Sequence, residues 1–133
     1  MNERPPPDSP QAWLRRARSD LALGQAALRV PEALPEDACF HAQQCAEKAL
    51  KALLVHKKKP FPRTHVLEYL LDLLKEAGVA VPPEIDEAFQ LTQYAVETRY
   101  PGEWQPVLPE EARTALETAA RVLHWVERKT QEA

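Results

Sequence analysis

The sequence contains two cysteines, no long apolar run and no excess of positive charge, and each of these features excludes a class of protein. Cys39 and Cys45 lie on one predicted helix, at a spacing that separates their Cα atoms by about 9 Å and prevents a disulfide between them. His41 and Cys45 have i,i+4 spacing, but two ligands without a second pair are a weak metal signal. We therefore expect two small buried thiols, no metal and no cofactor.

Membrane proteins and proteins that bind nucleic acid over a broad surface are also excluded. No apolar run approaches the ~20 residues of a membrane span, and the N-terminal MNERPPPDSP has no basic segment followed by an apolar one. A formal net charge of −3 and a pI near 5.8 argue against a broad basic surface, so any basic patch must be local. We expect a cytoplasmic protein without membrane contact.

Proline and glycine divide the chain into helical segments, and no segment shows the alternation of a strand. Ser9 followed by Pro10 predicts a helix start. Thr64 predicts another start, with Gly78 at the end of that helix, and Pro101 ends the fourth helix by the residue before it. The fold class is therefore all-α, an antiparallel up-and-down bundle of four to five helices. The predicted helices span about 10–29, 36–57, 65–77, 83–99 and 109–129.

The predicted organisation is a disordered or extended Pro-rich lead, residues 1–9, followed by a single helical domain, residues 10–130. A chain of 133 residues is long enough for one helical core and too short for two. Apolar residues that recur with the helical period mark the core side of each helix. The predicted core includes Trp13, Leu21, Ala42, Cys45, Ala49, Leu53, Leu70, Leu74, Phe89, Leu116 and Leu123.

The predicted second helix contains FHAQQCAEKALKALL, residues 40–54, whose two sides differ in chemistry. One side carries small residues that let a neighbouring helix approach closely. The other side mixes charged Glu47 and Lys51 with apolar Phe40 and Leu54, a mixture that suits a groove or a subunit interface. The full stripe is Phe40, Gln43, Gln44, Glu47, Lys51, Leu54 and Val55.

Three interpretations of Glu47 and Lys51 are open at this stage. On an exposed helix face they are an ordinary i,i+4 pair worth ~0.3–0.5 kcal/mol. In a groove, Glu47 would orient Lys51 towards a phosphate or a carboxylate, while Gln44 would bond to a base or a ribose. In the third interpretation Glu47, Lys51 and Arg99 form a structural polar network inside the bundle.

The segment HKKKPFPRTH, residues 56–65, concentrates basic residues in an acidic chain. It ends where the third helix is predicted to begin, and helix N-termini attract anions. His65, in the predicted first turn, should prefer its neutral form. The segment could bind phosphate, or it could simply complement the dipole of the second helix, with His65 exposed to water.

A third unusual segment is TRYPGEW, residues 98–104. Arg99, held by the following Tyr100 and Pro101, could contact an anion, although an Arg at a helix C-terminus also complements the helix dipole without a ligand. Trp104 could cover the end of the bundle or anchor an interface.

Together these motifs resemble those of a known family. In order they are a first helix with a Trp and several Arg, then AQQCAEKALKALL, then Thr64-His65 before a Leu-rich helix, then Tyr94 followed by Arg99-Tyr100-Pro101. Over roughly residues 10–128 the chain is similar to the HEPN family (higher eukaryotes and prokaryotes nucleotide-binding domain). The resemblance implies an antiparallel helical bundle, usually dimeric and often encoded beside a minimal nucleotidyltransferase.

The resemblance also raises an enzyme hypothesis, because many HEPN proteins are metal-independent RNases with an Arg and a His separated by four to six residues. That motif is absent from this sequence: no Arg is followed by His at that spacing, and Arg121 and His124 are only three positions apart. An RNase would need a base and a cation at the scissile phosphate. His65 and Arg99 could supply them only if folding brings them together.

The functional hypothesis is a non-catalytic HEPN binding module, a homodimer that pairs with a nucleotidyltransferase in a system of the toxin–antitoxin type. The alternatives are a nucleotide or phosphate binder, with a nucleotide or RNA as ligand, and an RNase with a degenerate motif. We expect the loop with Trp104 to form part of the dimer interface. The candidate ligand-binding residues are Gln44, Glu47, Lys48, Lys51, His65, Arg99 and Tyr100, with no catalytic residue and no metal ligand among them.

Overall fold

The computed structural model describes residues 8–95 and 106–132, and within these ranges every regular element is a helix. This confirms the all-α class. Residues 8–95 and 106–132 form five α-helices and one 3-10 helix. Their bounds are α1 Pro10–Ala27, α2 Pro35–His56, α3 Leu67–Glu76, α4 Pro83–Asp86, the 3-10 helix Glu87–Tyr94, and α5 Pro109–Thr130.

Helix α2 is the centre of the bundle and packs against α1, α3, α5 and the 3-10 helix. Its alanines, among them Ala42 and Ala49, are fully buried and let the neighbouring helices approach closely. Helix α1 approaches α5 at Gly24, where an added Cβ would lie 2.5 Å from Leu116 Cδ2. Small residues on α1 and α2 therefore set the spacing of the three longest helices.

The start of α1 is the one predicted from the sequence. Ser9 Oγ accepts a hydrogen bond of 3.1 Å from the backbone N–H of Ala12, and Pro10 occupies the first helical position. The predicted cap of α3 was wrong, because Val66 and not Thr64 is its N-cap residue. Thr64 Oγ1 accepts from the N–H of Val66, and helix α3 begins only at Leu67.

Helices α2 and α3 end in the same hydrogen-bonded motif, but with different residues at its left-handed position. After α3, Gly78 has φ +87° and the next N–H, of Val79, donates to Leu74 O at 3.0 Å. After α2, Lys58 has φ +58° and the N–H of Lys59 donates to Leu54 O at 2.9 Å. A left-handed residue with a side chain costs roughly 1–2 kcal/mol, which glycine avoids.

The predicted fourth helix is a single α turn followed by a 3-10 helix, and its phase explains an error in the predicted core. Ala88, Leu91 and Tyr94 are buried at intervals of three residues, the period of a 3-10 helix. Phe89 falls on the outer side and is 46% exposed, although the α-helical period placed it in the core. Residues 96–99 of the predicted helix lie outside the described residues.

The rest of the predicted core agrees with the structure. Trp13 is half-buried and packs on the edge of the core. The fully or almost fully buried members are Leu21, Ala42, Cys45, Ala49, Leu53, Leu70, Leu74, Leu116 and Leu123.

The 3-10 phase predicts different effects for two apolar residues that lie two positions apart. Leu91→Ala should lower the free energy of unfolding by about 2–4 kcal/mol, because it leaves a cavity in the core. Phe89→Ala should change it by less than about 1 kcal/mol, because the ring is half-exposed. Urea denaturation of both variants measures this, and a larger loss for Phe89→Ala would contradict the observed phase.

Candidate functional site

The charged residues of the mixed stripe on α2 are buried. Lys51 is 6% exposed and Glu47 is 3% exposed. Lys51 Nζ donates a 2.8 Å hydrogen bond to Glu47 Oε2, and it lies 5.6 Å from the ring centroid of Trp13 and 5.8 Å from that of Phe61. The ammonium is therefore enclosed by one carboxylate and two aromatic faces, which attract a cation through the ring quadrupole.

The second oxygen of the Glu47 carboxylate is also occupied. Oε1 accepts 3.1 Å from Gln43 Nε2 and lies 2.8 Å from Nδ1 of His65, so the ring donates from that nitrogen. Gln43 Nε2 also donates to the backbone oxygen of His65 at 3.0 Å, and Gln43 Oε1 accepts from Gln44 Nε2 at 2.6 Å. In the part of the chain that the structure describes, no buried side-chain polar atom lacks a partner.

The pKa of the Glu47 carboxyl is set by two opposing effects. Burial alone would raise it, because desolvation disfavours the charged form. Hydrogen bonds from Lys51, His65 and Gln43, together with the charge of Lys51, outweigh burial and hold the pKa of Glu47 below its ordinary value. The carboxylate is ionised at neutral pH and satisfies the ammonium beside it.

The local sequence explains why these groups meet. Gln43, Glu47 and Lys51 are spaced by four residues, which places them along one face of α2. Phe61 stands between two prolines in the segment that follows α2, and it meets Trp13 of α1 edge to face with ring centroids 6.2 Å apart. The segment 57–66 therefore folds back over Glu47 and Lys51 of α2.

A second charged cluster joins α1 to α2. Asp20 is 7% exposed. Its Oδ2 accepts 2.6 Å from Lys48 Nζ, and its Oδ1 lies 2.9 Å from His41 Nδ1. Asp20 was not among the predicted site residues. It lies between Ala17 and Leu21 on the apolar side of α1, and a carboxylate on that side could have indicated a buried charge.

The structure assigns the predicted site residues to different places. Gln44, Glu47, Lys51 and His65 come together, whereas Lys48 is bonded to Asp20 on α1. Arg99 and Tyr100 lie outside the described residues, as does Trp104.

Two expectations for this site need correction. Glu47, Lys51 and Leu54 do not face an open groove, because all three are buried and Lys51 lies over the rings of Trp13 and Phe61. His65 precedes α3, which begins at Leu67, instead of lying in its first turn. Its ring faces the carboxylate of Glu47 instead.

The pKa values of two other side chains, Cys45 and Tyr94, are raised by burial. Burial, followed by the nearby charge of Asp20, raises the pKa of Cys45 to about 12, so its thiol is not a nucleophile at neutral pH. Burial, then a hydrogen bond to Glu111, raises the pKa of Tyr94 above its ordinary value. Tyr94 therefore stays neutral and donates its O–H to that carboxylate.

The described residues offer no metal site, because nowhere in 8–95 and 106–132 do three His, Cys, Asp or Glu side chains converge as ligands. None of the helices in the same ranges combines the length and apolarity that crossing a bilayer requires.

Comparison with known proteins identifies the family. The model of the HEPN domain matches residues 10–129. The chain belongs to the HEPN family. It is similar to the crystal structure of TT1696 from Thermus thermophilus, with 35% identity, a TM-score of 0.79 and coverage of 92% of this chain and 98% of that one. It is also similar to ST0689, an archaeal HEPN homologue, with 28% identity, a TM-score of 0.71 and the same coverages. A search of curated proteins found no match.

In this HEPN domain, Lys51→Met should lower the free energy of unfolding by about 3 kcal/mol, the lower end of the range for breaking a buried ion pair. The lower end applies because Gln43 and His65 still donate to Glu47. Lys57→Met, on the exposed first residue after α2, is the matched control and should change stability by less than about 0.5 kcal/mol. Equal effects of the two changes in urea denaturation would contradict a buried pair.

The lowered pKa of Glu47 predicts a dependence of stability on pH. A carboxyl whose pKa is depressed by folding stabilises the folded state above its unfolded pKa of about 4.3, and this contribution is lost as pH falls through the folded pKa. The stability difference between the wild type and Glu47→Gln should therefore be constant from about pH 8 to pH 5 and shrink below that. A difference that grows towards low pH would show the opposite sign.

Proposed function

We propose that this HEPN chain is a non-catalytic binding module, a homodimer that pairs with a minimal nucleotidyltransferase in a system of the toxin–antitoxin type. The observation that carries the proposal is that the charged side chains of the AQQCAEKALK motif are engaged within the fold. Glu47 and Lys51 are buried against each other, and Lys48 is bonded to Asp20. The charged residues of the motif therefore stabilise the fold, and a partner would be bound by other residues on the surface.

The same contacts argue against the alternative in which these residues bind a nucleotide. A lysine that binds phosphate must present its ammonium to the ligand. Lys51 is enclosed by Trp13, Phe61 and Glu47, and displacing any of them would expose a buried charge. Lys48 Nζ is held by the carboxylate of Asp20.

An RNase with a degenerate motif has equally little support. Such an enzyme needs a base free to take a proton and a cation beside the phosphate. The ring of His65 is exposed, but its Nδ1 faces Glu47, and the cation bonded to that carboxylate is the buried Lys51. The described residues therefore bring no free cation to His65 through this network.

A surface suited to a protein partner lies between the end of α1 and α5. It is a shallow groove of about 730 Å³ with an apolar floor that includes Leu28, Leu116 and Ala120. The rest of its lining is polar or charged: Gln25, Arg29, Arg113 and Glu117. An apolar floor with a charged rim is the usual anatomy of a protein interface.

Copurification tests the proposal directly. The chain is coexpressed with a candidate minimal nucleotidyltransferase from the same genome, and any complex is measured by size exclusion with light scattering. We expect a complex that contains two copies of this chain. Leu28→Asp should weaken it at least about tenfold, because it places a charge on the groove floor. Leu23→Asp, on α1 but 51% exposed and outside the groove, is the matched control.

The outcomes separate the three functions. Absence of any complex with the wild-type chain would contradict the proposed pairing. Cleavage of RNA by the purified chain that is abolished by His65→Ala would establish the RNase instead. Tight binding of free nucleotides that is abolished by Lys51→Met, measured at a temperature where the variant is folded, would establish the nucleotide binder.

A further inference from the structure

Two exposed aromatic side chains lie on the outer surface of α3 and the 3-10 helix. Tyr69 is 44% exposed and Phe89 is 46% exposed. Every other aromatic residue within 8–95 and 106–132 is buried or half-buried. Burying an aromatic ring stabilises a protein, and aromatic residues are enriched at the centre of interfaces. Two rings left in water on neighbouring helices therefore indicate a surface that a partner covers.

Two hydrogen bonds fix the position of Phe89 relative to α3. Near the end of the 3-10 helix, Thr92 Oγ1 donates to Glu68 Oε1 at 2.8 Å. Just before the start of the 3-10 helix, Asp86 Oδ1 accepts from Lys75 Nζ at 2.9 Å. Phe89 is three residues from both Asp86 and Thr92, and residues at that spacing are aligned along a 3-10 helix. Phe89 therefore lies on the side of the 3-10 helix that faces α3, between the two bonds.

Asp72 lies between the two rings on the surface of α3. It is four residues after Glu68 and three before Lys75, so it shares a side of α3 with the two residues that hold the 3-10 helix. It is also three residues after Tyr69, which makes these two side chains neighbours on the helix surface. Asp72 is exposed and forms no hydrogen bond or ion pair within the described ranges. We call Tyr69, Asp72 and Phe89 the aromatic-acidic face.

The part of the chain that carries this face is strongly acidic. Residues 67–95 contain six acidic residues and one basic residue, which is a net charge of −5, whereas the whole chain has a net charge of −3. The one basic residue, Lys75, is already paired with Asp86. A concentration of negative charge attracts cationic partners, and it repels nucleic acid and anionic membranes.

We propose that the aromatic-acidic face binds an arginine-rich segment of a protein partner. A guanidinium stacks on an aromatic ring and donates two parallel hydrogen bonds to one carboxylate. Tyr69 and Phe89 supply the rings, and Asp72 supplies a carboxylate that no other group occupies. A lysine fits less well, because its ammonium is a point charge without a planar face. The groove between α1 and α5 is formed by other helices, so this inference is independent of the proposed function.

The test is fluorescence anisotropy with a labelled hexa-arginine peptide, compared with hexa-lysine of the same length, at about 50 mM KCl. We expect a Kd of about 10⁻⁴ M for hexa-arginine. Hexa-lysine carries the same charge and should bind at least about threefold more weakly, because it cannot stack or bond in a bidentate manner.

Variants of the face separate its chemistry from general charge attraction. Phe89→Ala should weaken binding of hexa-arginine about threefold to fivefold, the loss expected for an exposed cation–π contact. Its matched control is Leu23→Ala, which removes an exposed apolar side chain from α1. Asp72→Asn should weaken binding about threefold. Its matched control is Glu32→Gln, which removes an exposed carboxylate from the connection between α1 and α2 and changes the net charge equally. Both controls should retain the wild-type affinity.

Several results would overturn the proposal. No binding of hexa-arginine at about 1 mM is one of them. Equal affinities for hexa-arginine and hexa-lysine, or equal losses in Asp72→Asn and Glu32→Gln, would reduce the binding to unspecific charge attraction. Displacement of the peptide by an equal concentration of spermine would identify small polyamines as the ligand instead. Self-association of the wild type that Phe89→Ala abolishes in sedimentation would show that a second copy of this chain covers the face.

Discussion

The fold depends on one buried ion pair, between Lys51 and Glu47 on α2. A buried charge is tolerated only when its partner and its remaining hydrogen bonds are in place, so every group around this pair is constrained. Glu47 requires the side chain of Gln43 and the ring of His65, and Lys51 requires the faces of Trp13 and Phe61. These contacts tie α1, α2 and the segment leading into α3 to one point, so the pair orders parts of the chain that are distant in sequence.

Most of the fold could be predicted from the sequence, because helix starts and helix phases are local properties. Ser9 with Pro10 defined the start of α1, and the small-residue side of α2 is its packing side. The errors arose where a tertiary contact decides the local structure. Leu67 N–H donates to Thr92 Oγ1, so α3 begins later than Thr64 indicated. Phe89 lies on the outer side because its segment is a 3-10 helix with a period of three residues. The sequence pattern of this segment also fits an α-helix, so it did not distinguish the two.

The candidate site was only partly predictable. The four-residue spacing of Gln43, Glu47 and Lys51 showed that they share a face of α2. The apolar residues beside Lys51 showed that this face is not an ordinary solvent-exposed one. Whether such a face is open or covered depends on where a distant segment folds, and the contact of Trp13 with Phe61 has no local signature. A stripe that suggested a ligand groove is therefore the inner surface of a closed network, and the exposed charge lies on the segment that covers it.

The central claim is that Glu47 and Lys51 act as one buried structural unit, and a double-mutant cycle tests it most directly. Urea denaturation of the wild type, Glu47→Gln, Lys51→Met and the double variant yields the coupling free energy between the two side chains. The account predicts a coupling of about 1.5–3 kcal/mol, within the range for residues of one network. A coupling of no more than about 0.5 kcal/mol, the value of an exposed i,i+4 pair, would contradict it.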